Sequence, residues 1–290
     1  MNRLLAALLL LGVAGTVQSQ QVGDPNFDTR VATPRFVRSH PRVLFDEGHY
    51  NVHRSTTTYK AFVDLLRNDG LVVDTHSVAF TSELLARYRV LVIAGALGAP
   101  IDDEANAKKP AFTLAEIDVI RRWVERGGGL LLLTDHEPVS SADAGLVRAF
   151  GVEPSGKVVV DDMHSFENYY PSNILATREN GLLLPDHALT AGVKRAVVFG
   201  GQSLLFSHNA VVFIRVGAAA KNREGGPVTG NGQAGAIRAG RGRVVITGDM
   251  GMLSAQLLTE NGTTSPWGMN VPGIDNRQLV LNIAHWLAGR

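Results

Sequence analysis

Cysteine is missing altogether: none of the 290 residues is one. That excludes disulfides, thiolate-bound metals and any mechanism with a thiol nucleophile. An excess of charge is missing too, since 28 Lys and Arg stand against 27 Asp and Glu. No electrostatic footprint for nucleic acid or an acidic membrane surface follows from such a balance. Aromatic residues are sparse, at 7%. No apolar run reaches the ~20 residues of a membrane-spanning helix. A phosphate-cradling loop and the HExxH zinc signature are both absent. Gly201-Gln-Ser203-Leu-Leu falls one glycine short of a nucleophile elbow. Gly230-x-Gly232-x-x-Gly235 carries the letters of a dinucleotide fingerprint, but it neither follows a buried strand nor opens a helix.

What is present begins with an address. Arg3 supplies a positive n-region, residues 4–14 are apolar, and Val17 and Ser19 occupy the positions of a cut before Gln20. Residues 1–19 are therefore expected to be a signal peptide, and the mature chain to be exported to a periplasm or the cell exterior. Residues 20–41, with Pro25, Pro34 and Pro41, are expected to form an extended lead-in. Residues 42–290 are expected to form a single domain.

Within that domain strands and helices alternate. Apolar runs at 42–45, 71–73, 90–94, 130–133 and 157–160 predict strands. Helical spacing predicts helices over 55–67, 82–88, 113–126 and 142–150, and Thr113-x-x-Glu116 is a capping box. Strands apolar throughout are buried on both faces, which with intervening helices indicates a parallel sheet. After residue 186 short segments at 197–199, 204–206, 211–216 and 234–238 read as antiparallel strands. The expected class is α/β: a flavodoxin-like three-layer sandwich with a mostly parallel sheet and an antiparallel C-terminal extension. Residues 259–275 read as a Gly/Pro/Asn-rich loop carrying Trp267, and 276–287 as a closing helix.

Ligands of open α/β sheets bind beyond the carboxyl ends of the strands. The tails to inspect are Asp46-Glu47-Gly48-His49 with His53, Thr134-Asp135-His136-Glu137, Asp161 to His164, Ser207-His208, and Thr247-Gly248-Asp249. Five of the nine histidines fall in them. Asp, Glu and His ligate zinc, manganese or iron, and carboxylate–imidazole pairs serve as acids and bases. Asp46, His49, His136 and Asp249 are the candidate catalytic residues. With Asp135 the same residues form a candidate shell for one divalent metal ion. Glu47, His53, Asp135, His164, His208 and Trp267 are candidate ligand-binding residues; Trp267 suits sugar stacking, or equally the anchoring of its loop. Asp135 and His136 are neighbours and point to opposite faces if their strand continues. Ser203 with His208 and a carboxylate is a chance-level hydrolytic set.

The same residues carry a resemblance. Val43-Leu-Phe-Asp-Glu-Gly-His49, then Tyr59, Phe62, Leu65-Leu66 and Gly70, resemble the opening of a glutamine-amidotransferase-like domain, in particular its intraflagellar-transport-type subgroup and bacterial relatives. Phe112-Thr-Leu-Ala-Glu116, the run from Trp123 to Leu132, His187-Ala-Leu-Thr-Ala-Gly-Val193, Gly248-Asp249-Met-Gly-Met and the closing helix continue it across most of residues 42–288. The resemblance implies a flavodoxin-like fold. It does not imply amidotransfer, because members that perform it place a cysteine on a strand-to-helix elbow, near where Thr134-Asp135-His136 stands here. Two functions stay open. One is a non-catalytic module that binds a small polar ligand such as a glycan, or an envelope protein partner. The other is a metal-assisted hydrolase of an ester, amide or glycosidic bond.

Overall fold

A computed structural model describes residues 20–167 and 170–289. The expected signal peptide at 1–19 lies outside the described residues. In chain order the first part carries β1 (Gln20–Gly23), β2 (Arg42–Asp46), α1 (Lys60–Asn68), β3 (Val72–His76), α2 (Ser82–Leu85), β4 (Val90–Ala94), α3 (Glu104–Ala107), α4 (Leu114–Glu125), β5 (Gly129–Leu133) and α5 (Val139–Arg148). The second part carries β6 (Val152–Val160), β7 (Asn173–Ala176), β8 (Ala196–Phe199), β9 (Gln202–Phe206), β10 (Val211–Arg215), β11 (Lys221–Asn222), β12 (Gly232–Ala239), β13 (Gly242–Thr247), β14 (Ala255–Glu260), β15 (Thr263–Gly268) and α6 (Asn276–Leu287).

Ten strands form one mixed sheet, in the order β11-β6-β9-β12-β13-β5-β4-β2-β3, with β10 also paired to β12. From β13 to β3 every neighbour is parallel. On the other side of β13 every pairing is antiparallel. The expectation of a mostly parallel sheet is thus corrected to an even mixture. Parallel pairing needs a long crossover, and the chain supplies helices for it only up to α5. After β6 it makes a long excursion through the separate β7-β8 pair, and β9, β10, β12 and β13 then follow with no helix between them.

Consecutive residues of the parallel strands feed two separate cores. Val43, Phe45, Val92, Leu131 and Val245 join the core that includes Phe62, Leu66, Ile283 and Leu287 of α1 and α6. Leu44, Leu91, Ile93, Leu130 and Val244 join the core that includes Leu85, Ile120 and Leu146 of α2, α4 and α5. Side chains alternate across a strand, so a run apolar at every position is what a sheet covered on both faces requires.

Boundaries moved where turn chemistry dominates. α1 starts at Lys60 rather than 55, because Arg54 O accepts the Thr57 and Tyr59 amides in a turn. α5 starts at Val139, directly after Pro138. The expected loop at 259–275 instead contains the β14–β15 hairpin, turning at Asn261 and Gly262 with φ of 50° and 76°. That Asn-Gly pair is the strongest short hairpin signal a sequence offers. The lead-in is irregular apart from β1, which pairs with β14.

Candidate functional site

A cleft of about 340 Å³ opens at the carboxyl ends of β5 and β13. The three-stranded sheet β1-β14-β15 forms one wall. Gln256, Leu258 and Glu260 alternate along β14, so they share a face, and all three line the cleft. Gln21 pairs with Leu258, and Trp267 with Gln256, which puts both beside that face. Trp267 packs on Phe199 at 5.1 Å between ring centroids and meets Tyr170 edge-on at 6.1 Å. This side therefore combines an aromatic cluster with the polar side chains of Gln21, Gln256 and Glu260.

The opposite side is polar. Asp135, buried, follows β5 and accepts the His136 amide at 2.7 Å and the Met250 amide at 3.1 Å. The same carboxylate also bonds His136 Nδ1, an orientation that adjacent residues on a continuing strand would not reach. That hydrogen bond to Asp135 raises the His136 pKa above its ordinary value. His136 is about half exposed at 47% and presents its ring to the cleft. Asp249 is wholly buried and accepts three backbone amides, from Phe199 at 2.6 Å, Gly251 at 2.6 Å and Met252 at 3.2 Å. Burial and the negative charge of Asp135 push its pKa well up, against those amides. His53 is buried beside Tyr59, its Nδ1 2.8 Å from Thr58 Oγ1. Burial pushes His53 down to about 4, so it is neutral at neutral pH.

Behind this floor Gln202 Nε2 donates to Asp135 O at 2.6 Å and to Thr134 Oγ1 at 3.1 Å. Thr134 Oγ1 in turn donates to Asp143 Oδ1 at 2.9 Å. Asp143 is wholly buried, and burial holds its pKa well above the carboxylate range. These bonds fix the backbone turn after β5 from below.

The expected metal shell is split in two. Asp135, His136 and Asp249 reach the cleft. Asp46 and His49 lie in a second, closed cluster. His49 Nδ1 bonds Asp46 at 2.9 Å, and Nε2 bonds Glu116 at 3.1 Å. Phe80 and Phe112 pack on the imidazole at centroid distances of 5.1 and 4.6 Å. Burial works against the charged ring, but the two carboxylates prevail and its pKa is raised. Asp46 also accepts Gly48 N and Asn51 Nδ2. Glu116 also accepts Thr113 and the Phe80 amide. Every ring nitrogen and carboxylate oxygen of this triad has a partner, so it ties the loop after β2 to the start of α4. Among the described residues no group of three or more His, Asp or Glu is arranged to hold a metal ion.

The remaining expected residues are scattered. His53 and Trp267 line the cleft. Glu47 accepts Ser55 N at 2.8 Å and Ser55 Oγ at 2.7 Å, holding its own loop. His164 Nδ1 bonds Asp161 at 2.8 Å, and His208 is exposed in the β9–β10 turn. Neither lines the cleft. Ser203 lies outside it as well.

Tyr170, Ser172, Arg223, Gln256 and Glu260 line the cleft without having been singled out. They come from loops and from the hairpin after residue 255. The Asn261-Gly262 signal would have revealed that hairpin, and with it the alternating face of β14. Nothing in the sequence marks Arg223 or Ser172, which enter through tertiary folding alone.

No protein-family model matches the chain, and no curated protein matches it in sequence. Solved structures do match. The mmIFT52 N-terminal domain is 18% identical, with 86% of this chain and 98% of that chain covered, at a TM-score of 0.64. Cytoplasmic Protein STM3548 from Salmonella typhimurium is 16% identical, with 85% of this chain and 98% of that chain covered, at a TM-score of 0.52. A thua-like protein from Bacteroides uniformis is 14% identical, with 91% and 95% covered, at a TM-score of 0.44. At such identities the likeness is one of fold. The first two carry it, and the fold shared with the mmIFT52 N-terminal domain agrees with the intraflagellar-transport-type resemblance at the level of architecture alone.

Proposed function

We propose that this chain is an exported binding protein of flavodoxin-like three-layer architecture, whose cleft takes a small polar ligand with an apolar face, such as a glycan. The observation that carries the reading is the contrast between the two sides of the cleft. Trp267, Phe199 and Tyr170 cluster on one side, beside Gln21, Gln256 and Glu260, and Asp135, His136 and His53 bring carboxylate and imidazole groups to the other. A sugar has the same two characters, with C–H faces for stacking and hydroxyls for directional bonds. The absence of cysteine supports a role other than amidotransfer. The layout of residues 1–19 supports export. An envelope protein presenting a polar side chain to the cleft is the partner version of the same reading.

Calorimetry with a panel of mono- and disaccharides tests it. We expect at least one saturable ligand, and a loss of about tenfold in affinity for Trp267→Leu and for His136→Ala. No saturable ligand, or variants that bind like the parent, would overturn the glycan reading.

One observation favours a second, hydrolytic reading. His136, whose protonated form Asp135 favours, and His53, kept neutral by burial, are two imidazoles shifted in opposite directions in one cleft. His53 would take a proton from water, and His136 would give one to the leaving group of an ester, amide or glycoside. The metal-assisted form has no donor set among the described residues to support it. Chromogenic substrates of the three classes decide: turnover abolished by His53→Gln and by His136→Ala supports hydrolysis, and no turnover by the parent removes it.

A further inference from the structure

The hydrogen-bonding groups of the cleft divide into those already engaged and those left open. Some acceptors are engaged and others are open: Gln256 Oε1, on the hairpin wall, is buried without a hydrogen bond among the described residues. Asp135 accepts the His136 and Met250 amides and the His136 ring. Asp249 accepts three backbone amides. Glu260 accepts the Tyr170 hydroxyl, and Glu137 accepts Ser141 Oγ at 2.8 Å. Several donors are open. Among the described residues the Arg223 guanidinium has no hydrogen bond or ion pair, although Lys157 and Glu224 pair close by in sequence. His136 uses Nδ1 on Asp135 and leaves Nε2 without a partner. The Ser172 hydroxyl, in a buried residue, is likewise without a hydrogen bond.

These open donors lie in one cleft with Trp267. Arg223 and His136 are also near enough for the guanidinium to oppose protonation of the ring. Asp135 and Glu137 already offset that repulsion at the ring, whereas the guanidinium has no such partner among the described residues and an anionic ligand would supply one. A planar guanidinium fork matches the two oxygens of a carboxylate, sulfate or phosphate ester, and charge-assisted bonds of this kind are about twice as strong as neutral ones.

We propose that the cleft selects an anionic sugar, its acidic group held by Arg223 and His136 and its ring face laid on Trp267. This rests on the polar-ligand reading above and names the ligand class for it. Arg223 is the specificity-determining residue. Trp267 serves charged and neutral sugars alike.

Calorimetry of the purified chain separates the possibilities. The probes are glucuronate, glucose 6-phosphate, N-acetylglucosamine 6-sulfate and their neutral parents, glucose and N-acetylglucosamine. We expect at least one anionic probe to bind ~10-fold or more tightly than its neutral parent at low salt. Which of the three does so identifies the acidic group. Arg223→Met lowers affinity for the anionic probe to that for its neutral parent, whereas Trp267→Leu weakens binding of anionic and neutral probes alike. Equal binding of anionic and neutral probes, or a preference that survives Arg223→Met, overturns the anionic-sugar assignment while the polar-ligand reading stands. If no probe binds the folded parent, both fall.

Discussion

His49 and His53 are four positions apart and look alike in the sequence, yet the fold shifts their pKa values in opposite directions. His49 sits between Asp46 and Glu116, which favour its protonated form against burial. Removing its ring leaves two buried carboxylates facing an apolar gap. We expect His49→Ala to destabilise the chain by ~3–5 kcal/mol in urea denaturation, since breaking a buried ion pair strands a charge. His53 is held neutral by burial, its pKa near 4 against an ordinary 6.5. The signs of their pH effects therefore differ. The folded state resists protonating His53, so the stability it contributes is full above pH 6.5 and falls between 6.5 and 4, as the unfolded chain takes up the proton first. His49 does the reverse: its contribution is present below the ordinary histidine pKa and is lost as pH rises through its elevated folded value. Stability measured against pH is expected to show a shallower acid limb for His53→Gln than for the parent, by up to ~1.4 kcal/mol per pH unit in that window. An unchanged limb would place His53 in contact with solvent.

At the scale of elements, two short segments stand out, one holding the structural triad and one shaping the cleft. The first is the start of α4, where Thr113 and Glu116 form a capping box, with Thr113 N and Oγ1 donating to one Glu116 oxygen. The other Glu116 oxygen receives His49 and the Phe80 amide. A lost N-cap alone costs ~1 kcal/mol. Here Thr113→Ala is expected to cost more, because Glu116 loses its aim toward His49. A double-mutant cycle with His49→Ala should return a coupling of ~0.5 kcal/mol or more. Additive losses would show the two contacts to be independent. The second segment is the turn after β15. Gly268 has φ of 103°, and an added Cβ would stand 2.2 Å from Ser254 O. Gly268→Ala is expected to destabilise by at least ~1 kcal/mol and to weaken ligand binding, because Trp267 is the preceding residue. Thermal unfolding together with calorimetry checks both effects.

For the whole molecule, the sheet is the unit of stability. β13 joins the parallel half to the antiparallel half, pairing with β5 on one side and β12 on the other. One core carries side chains from both halves, including Phe45 of β2 and Phe213 of β10. We therefore expect one cooperative unfolding transition, with far-UV and near-UV signals sharing a midpoint in urea. Two separated midpoints would show that the antiparallel half folds by itself. The cleft depends on the same continuity, since its floor follows β5 and β13 while its facing wall comes from the hairpin after residue 255 and from the strand at residue 20.

The alternation of apolar runs with helical spacing determined the α/β class, the parallel strands and the capping box of α4. Those features follow from local periodicity and from burial on both faces, both of which the residue order contains. The carboxyl ends of the strands pointed to Asp135, His136, Asp249 and His53, because side chains beyond a buried strand are free to face a ligand. What the residue order left open was pairing across distance. Asp46 and His49 resembled Asp135 and His136 until Glu116, 67 residues on from His49, closed around the ring. Whether a carboxylate and an imidazole meet a ligand or each other depends on which third group arrives. Packing between distant elements settles that, so only the tertiary structure separated the cleft from the structural triad and brought Arg223 and Trp267 to the same opening.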